Sequence, residues 1–223
     1  MKYYVIPALL LASHVTSVFA AEPTLDTENK RFSYTVGFQM AQGLKQQGLD
    51  VDADAMILAI RDVLTGAPLK LTLEEMQAAS RAYIEKGEKE KKAAAEKNKK
   101  AGDAYLAENG KKKGVVTTAS GLQYTVIKEG AGKKPLPADS VSVHYRGTLV
   151  NGEEFDSSIA RGQPVTFPVN GVIQGWQEVL PMMTQGSKWK VVIPASLAYG
   201  EHGNNAIEPN QTLIFEIELL SIN

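Results

Sequence analysis

The sequence contains no cysteine. Disulfides, thiolate nucleophiles, cysteine-ligated zinc and an acylated cysteine anchor are excluded with it, while the redox state of the compartment stays open. Histidine is scarce, three in 223 residues. His14 falls in the N-terminal twenty. His144 precedes Tyr145 on a strand-like segment, so the two side chains point to opposite faces, and His144 reads as a surface residue if Tyr145 faces a core. His202 sits in a Gly200-Glu201-His202-Gly203 loop with no partner at ligand spacing. Neither a hydrolase triad nor a zinc site is expected. An excess of one charge is also lacking: the formal net charge is −1, which leaves no electrostatic footprint for nucleic acid. The lysine run 111–113 has no interleaved aromatics and reads as a solvated linker. No glycine-rich phosphate loop is present.

Long apolar runs are confined to the N-terminus. Lys2 precedes an apolar stretch from Tyr3 to Ala12, a more polar segment follows through Ser17, and Val18-Phe19-Ala20 offers small residues where a signal peptidase reads. This pattern predicts a signal peptide over residues 1–20, cleaved near Ala20, and a mature protein in the periplasm, associated with the outer membrane or secreted. The alternative is an uncleaved anchor. Against it, the uninterrupted run falls short of the ~20 residues a span needs.

At 223 residues, 43% of them hydrophobic, the chain is long enough for one or two domains with a core. Its texture changes three times. Over 21–71 the spacing predicts two helices. Phe32, Val36, Met40 and Leu44 recur every four residues, with Tyr34, Phe38 and Ala41 on a second face. Asp52 caps a second helix carrying Met56, Ile57, Ile60, Val63 and Leu64, which Gly66 and Pro68 stop. So short an apolar pair cannot bury both faces alone. It needs either a second copy of the chain or the chain's own C-terminal domain, and a homodimer through these helices is the expectation.

Over 72–114 a long linking helix is predicted, capped by Thr72 with Glu75 three residues on. Its alternating Glu and Lys suggest a solvated shaft with few contacts, and Gly87 and Gly102 read as weak points. From Val115 to the end the period becomes two: Leu122/Tyr124/Val126, Val141/Val143/Tyr145, Trp189/Val191/Ile193 and Leu213/Phe215/Ile217/Leu219. Asn151-Gly152 marks a hairpin, and Trp176, Val179, Leu180 and Met183 mark one short helix. The fold class is α+β, an antiparallel curved sheet wrapped over one short helix, preceded by the all-α region and the long helix.

Within 115–223, five segments stand in a telling order: Val143-His144-Tyr145-Arg146-Gly147, Gly152 to Ser158, Val172-Ile173-Gln174-Gly175-Trp176, Leu197-Ala198-Tyr199-Gly200 and Thr212-Leu213-Ile214-Phe215. They resemble the FKBP family of peptidyl-prolyl cis/trans isomerases. The N-terminal half is similar to that of the family's macrophage-infectivity-potentiator branch. The resemblance implies a pocket with Trp176 as its floor and Tyr145, Phe155, Val172, Ile173 and Phe215 as walls. Asp156 and Tyr199 would be the catalytic polar groups, Arg161 the arginine that steadies the aspartate, and Ile207 the aliphatic residue of the far loop. Two positions depart from the pattern. Val165 stands where a phenylalanine is usual, which lowers one wall, and the loop after Tyr199 is one residue short, so His202 receives no role.

Singly, each aromatic also fits a plain core, and Asp156 also fits a turn. Jointly they imply isomerisation of Xaa-Pro bonds in proline-containing or unfolded polypeptides, without metal or cofactor. They also imply inhibition by macrolides of the tacrolimus or rapamycin type and, in a dimer, chaperone activity. The alternative reading is a non-enzymatic holdase or proline-peptide binding module.

Overall fold

The computed structural model describes residues 23–223, so the expected signal segment and its cleavage point lie outside the described residues. The chain divides into two compact units, the first ending at Ala67 and the second beginning at Pro68.

In the first unit, α1 (Glu28–Gln46) starts where the Thr27 hydroxyl accepts the Lys30 amide at 3.2 Å. Helix α2 (Ala53–Thr65) starts where the Asp52 carboxylate accepts the Ala55 amide at 2.8 Å. It ends on Gly66 in the left-handed conformation, as its sequence predicts. No residue of α1 is buried. Phe32 is 69% and Phe38 54% exposed, and Ile57 and Val63 of α2 are exposed as well.

The second unit opens with α3 (Leu73–Asn109), begun by the predicted capping box: Thr72 Oγ1 accepts the Glu75 amide and Glu75 accepts the Thr72 amide at 2.7 Å. There follow β1 (Val116–Thr117), β2 (Gln123–Lys128), β3 (Ser140–Leu149), β4 (Glu154–Ser157), β5 (Val165–Pro168), α4 (Gln174–Val179), β6 (Lys188–Ile193) and β7 (Leu213–Ile222). The antiparallel sheet runs β1-β2-β6-β7-β3-β4, with β5 also paired to β3. Val141, Val143, Tyr145, Val191, Ile193, Leu213, Ile217 and Leu219 form its core with Trp176, Val179, Leu180 and Met183 from the α4 region. Helix α4 begins two residues before Trp176 and ends sooner than the apolar spacing suggests. Pro181 has no amide to continue it, and Leu180–Met182 form a 3-10 turn instead.

Helix α3 is more than a shaft. Its face Ala95, Asn98, Gly102, Leu106 and Asn109 packs on the sheet-bearing part of its own unit. Gly102 is buried, and a Cβ there would fall 2.3 Å from Thr212 Oγ1. Its glycine therefore permits close approach and does not mark a weak point. At the helix end, Asn109 Nδ2 donates to Gln123 Oε1 at 2.9 Å and Gln123 Nε2 donates to the Leu106 carbonyl at 2.9 Å. Gln123 pairs with Val192, which pairs with Ile214. All three are buried although they point away from the core, because the end of α3 covers that outer face.

Candidate active site

Strand β3 delivers Tyr145 to the concave face of the sheet and, two residues on, Gly147 to the same face. A Cβ at Gly147 would meet the Phe155 ring at 2.6 Å and the Phe215 ring at 2.8 Å. Only a residue without a side chain lets both rings lie across it. The Asn151-Gly152 hairpin returns the chain into β4. The Gly152 amide donates to the Leu149 carbonyl, Gly152 has φ +88°, and the Asn151 side chain accepts the Glu153 amide at 3.0 Å.

Neighbours on a strand normally point to opposite faces, yet Phe155 and Asp156 both line one bowl. The pairing explains it. Gly147 faces Asp156 and Thr148 faces Glu154, so Phe155 is the extra residue of a bulge, and a bulge re-aims side chains.

The bowl has a volume of about 510 Å³. Trp176, 4% exposed, forms its floor. Three rings meet the indole nearly at right angles: Tyr145 at 5.4 Å between centroids, Phe167 at 5.8 Å and Phe215 at 5.3 Å. Phe155 meets Phe215 edge-on at 5.6 Å. Such edge-to-face contacts suit the ring quadrupoles and fix the rings against one another. Val172 and Ile173 at the entry to α4 and Tyr199 from the loop after β6 complete the lining. The Ile173 carbonyl accepts the Trp176 and Gln177 amides, which ties this rim to the floor.

The lip is polar on one side. The Tyr145 hydroxyl donates to Asp156 Oδ2 at 2.5 Å, Arg161 Nη1 donates to Asp156 Oδ1, and Arg161 Nη2 donates to the Tyr145 oxygen at 2.8 Å. The guanidinium also stands 5.7 Å from the Tyr145 ring centroid. Burial pushes the Asp156 acid upward, but the hydrogen bonds from Tyr145 and Arg161 outweigh it and hold the carboxyl below the usual aspartate value. Burial, and then the hydrogen bond to Asp156, push the Tyr145 phenol upward. Hydrogen bonds to Asp156 and Tyr145 raise Arg161. The triad is thus one carboxylate, one phenol and one guanidinium, each held in its ordinary charge state.

Of the residues singled out from sequence, Tyr145, Phe155, Asp156, Val172, Ile173, Trp176, Tyr199 and Phe215 come together in this bowl. Arg161 joins through its bonds to Asp156 and Tyr145. Ile207 does not line it. Asn204 Oδ1 accepts the Ala206 and Ile207 amides, and the loop so formed buries Ile207 in the core. His144 is not a plain surface residue either, since it is half-buried with Nδ1 3.1 Å from Ser158 Oγ.

Phe167 was not anticipated. It supplies the wall that Val165 lacks, and the signal was available: Val165 and Phe167 stand two apart on β5 and share a face. The Trp176 Nε1 atom is buried without a hydrogen-bond partner among the described residues. Among the described residues no cluster of His, Asp and Glu could hold a metal ion, and no helix is long and apolar enough to cross a membrane.

Residues 29–126 match the family described as the domain amino terminal to FKBP-type peptidyl-prolyl isomerase, and residues 131–220 match FKBP-type peptidyl-prolyl cis-trans isomerase. The chain is 45% identical to the FKBP-type 22 kDa peptidyl-prolyl cis-trans isomerase of Escherichia coli K12, over 90% of this chain and 98% of that protein. It is 39% identical to the outer membrane protein MIP of Legionella longbeachae, over 100% of this chain and 98% of that one. Among solved structures, FkpA from Escherichia coli superposes with a TM-score of 0.64 at 35% identity, covering 89% of this chain and 98% of that chain.

Proposed function

Because the chain belongs to the FKBP-type peptidyl-prolyl cis-trans isomerase family and so accelerates rotation about Xaa-Pro bonds, we propose that it does so in the aromatic bowl over Trp176, with Asp156 and Tyr199 as the polar groups at the reacting amide. The arrangement that carries this reading is the indole floor ringed edge-on by Tyr145, Phe167 and Phe215, with one carboxylate fixed at the lip. The barrier to rotation, ~18–20 kcal/mol, comes from amide conjugation. The cis and trans ends of an Xaa-Pro bond differ by only about 1 kcal/mol, so the rate alone needs help.

A planar amide is strongly solvated, whereas at the twisted midpoint it has lost conjugation and part of its carbonyl polarity. A dry aromatic bowl therefore disfavours the planar form more than the twisted one, and preferential binding of the twisted form is the catalysis. Trp176 seats the proline ring, and Phe155, Val172, Phe167 and Phe215 wall it. The Ile173 amide and Tyr199 hydroxyl hold the flanking carbonyls. Asp156, steadied by Tyr145 and Arg161, stands beside the carbonyl that turns. No proton is transferred and no covalent bond forms.

The exposed apolar faces of α1 and α2 support a homodimer formed through them. Two linked bowls would raise the effective concentration for long unfolded chains and so favour chaperone activity. The signal-like N-terminus, together with a relative named as an outer membrane protein, supports a place in the cell envelope, in the periplasm or at its outer membrane. The enzyme reading is tested by NMR exchange on an Xaa-Pro peptide with the full chain. Exchange should accelerate, and tacrolimus or rapamycin should compete. A chain that speeds no exchange but still binds unfolded protein would favour the holdase.

A further inference from the structure

The loop that follows Tyr199 is held from outside the bowl. Gly203 donates to the Tyr199 carbonyl at 3.2 Å, and the Asn210 amide donates to the Gly200 carbonyl at 2.9 Å. The far end of the loop, Glu208 to Thr212, is thereby tied to the backbone beside Tyr199. That same end rests on α3. Asn98 Nδ2 donates to both the Pro209 carbonyl and the Glu208 carboxylate, each at 3.0 Å. Asn210 Nδ2 lies 3.4 Å from the Ala95 carbonyl, and Thr212 presses on Gly102. Asn210 itself has φ +58°, a conformation uncommon for a residue with a side chain, which persists where surrounding bonds determine it.

We propose that Asn98 of the long helix is a positioning residue for the isomerase bowl, fixing Tyr199 through Pro209, Asn210 and Gly200. This rests on the reading of Tyr199 as a substrate contact. The side chain of Asn98 touches neither substrate nor bowl. It sets where the loop lies, and the loop sets where the tyrosine hydroxyl lies. The long helix that opens the second unit is thereby also part of that unit's catalytic framework.

A double-mutant cycle with Asn98→Ala and Tyr199→Phe in the full chain tests it, reading kcat and KM by NMR exchange on one Xaa-Pro peptide. Alanine is the better helix former, so the helix itself is not weakened. Urea unfolding followed by the two tryptophans, Trp176 and Trp189, verifies that the unit is folded. Tyr199→Phe should lower kcat/KM. Asn98→Ala should lower it about threefold where Tyr199 is present and leave it unchanged in the Tyr199→Phe background. If Tyr199→Phe is without effect, the role of Tyr199 fails and the positioning role fails with it. If Tyr199→Phe is costly but Asn98→Ala is silent, or costs the same in both backgrounds, the reading of Tyr199 stands and the positioning role is overturned.

Discussion

Replacing Asp156 by Asn removes the charge at the lip of the bowl and keeps its shape. The carboxylate accepts the Tyr145 hydroxyl at 2.5 Å and pairs with Arg161. Hydrogen bonds to a charged group contribute roughly 1.5–3 kcal/mol net and are about twice as strong as neutral ones. The Arg161 and Asp156 side chains are 46% and 40% exposed, so solvent screens the ion pair itself and it adds little. Most of the loss then falls on the half-buried Tyr145 hydroxyl. We expect the variant to lose about 1 kcal/mol of stability in its second unit at pH 7.

The pH dependence follows from the depressed acid. Its folded value lies below its unfolded one. The associated stability is therefore fully present above about pH 4, the unfolded aspartate value, and is lost as pH falls through the folded value. The Asn variant lacks that slope, so the two stability curves should converge in acid. Both tryptophans lie in the second unit, so urea unfolding read by their fluorescence reports that unit alone. If the carboxylate also favours the twisted amide, kcat/KM should drop about tenfold, or about 1.4 kcal/mol. A variant with wild-type kcat/KM would refute that role and reduce the triad to scaffolding. Stability curves that stay parallel into acid would refute the electrostatic account.

Phe167→Val should raise KM for a proline peptide several-fold in the exchange assay; an unchanged KM would mean that Phe167 closes the wall without meeting substrate. Removing the chain through Ala67 should give a monomer by sedimentation equilibrium that isomerises short peptides at nearly the full rate but acts weakly on long unfolded chains. A full-length monomer would contradict the dimer. A cut after Gly114 should instead lower the urea midpoint relative to a chain beginning at Pro68, since it uncovers Gln123, Val192 and Ile214; equal midpoints would show that α3 contributes nothing there. Mass spectrometry of the exported protein should find an N-terminus at Ala21 or within a residue or two, and a retained Met1 in envelope fractions would overturn the signal peptide.

The sheet was legible because its inward positions alternate large apolar residues with charges, as in Trp189-Lys190-Val191 and Phe215-Glu216-Ile217. Most of the bowl was legible through motif resemblance, which needs no knowledge of how the side chains are aimed. What escaped was made of weaker signals. The packed face of α3 consists of Ala95, Asn98, Gly102, Leu106 and Asn109, mostly small or polar groups. It binds through close backbone approach and amide hydrogen bonds, which hydrophobic periodicity does not register. The bulge at Phe155 is a property of pairing with β3 and leaves no mark in a single strand. Ile207, expected on the far loop, lies in the core cluster with its amide donating to the Asn204 side chain, a local bond that motif position does not carry.

The triad at the lip has a consequence for where such an enzyme can work. Asp156 is driven down, and Tyr145 and Arg161 are driven up, so all three titrations move away from neutrality. The proposed mechanism requires no group to change its proton. From mildly acidic to mildly alkaline solution the lip presents the same charges to an incoming chain. A compartment bounded by a porous outer layer takes its pH from the surroundings, and a folding catalyst stationed there would keep turning prolines while the medium outside changed.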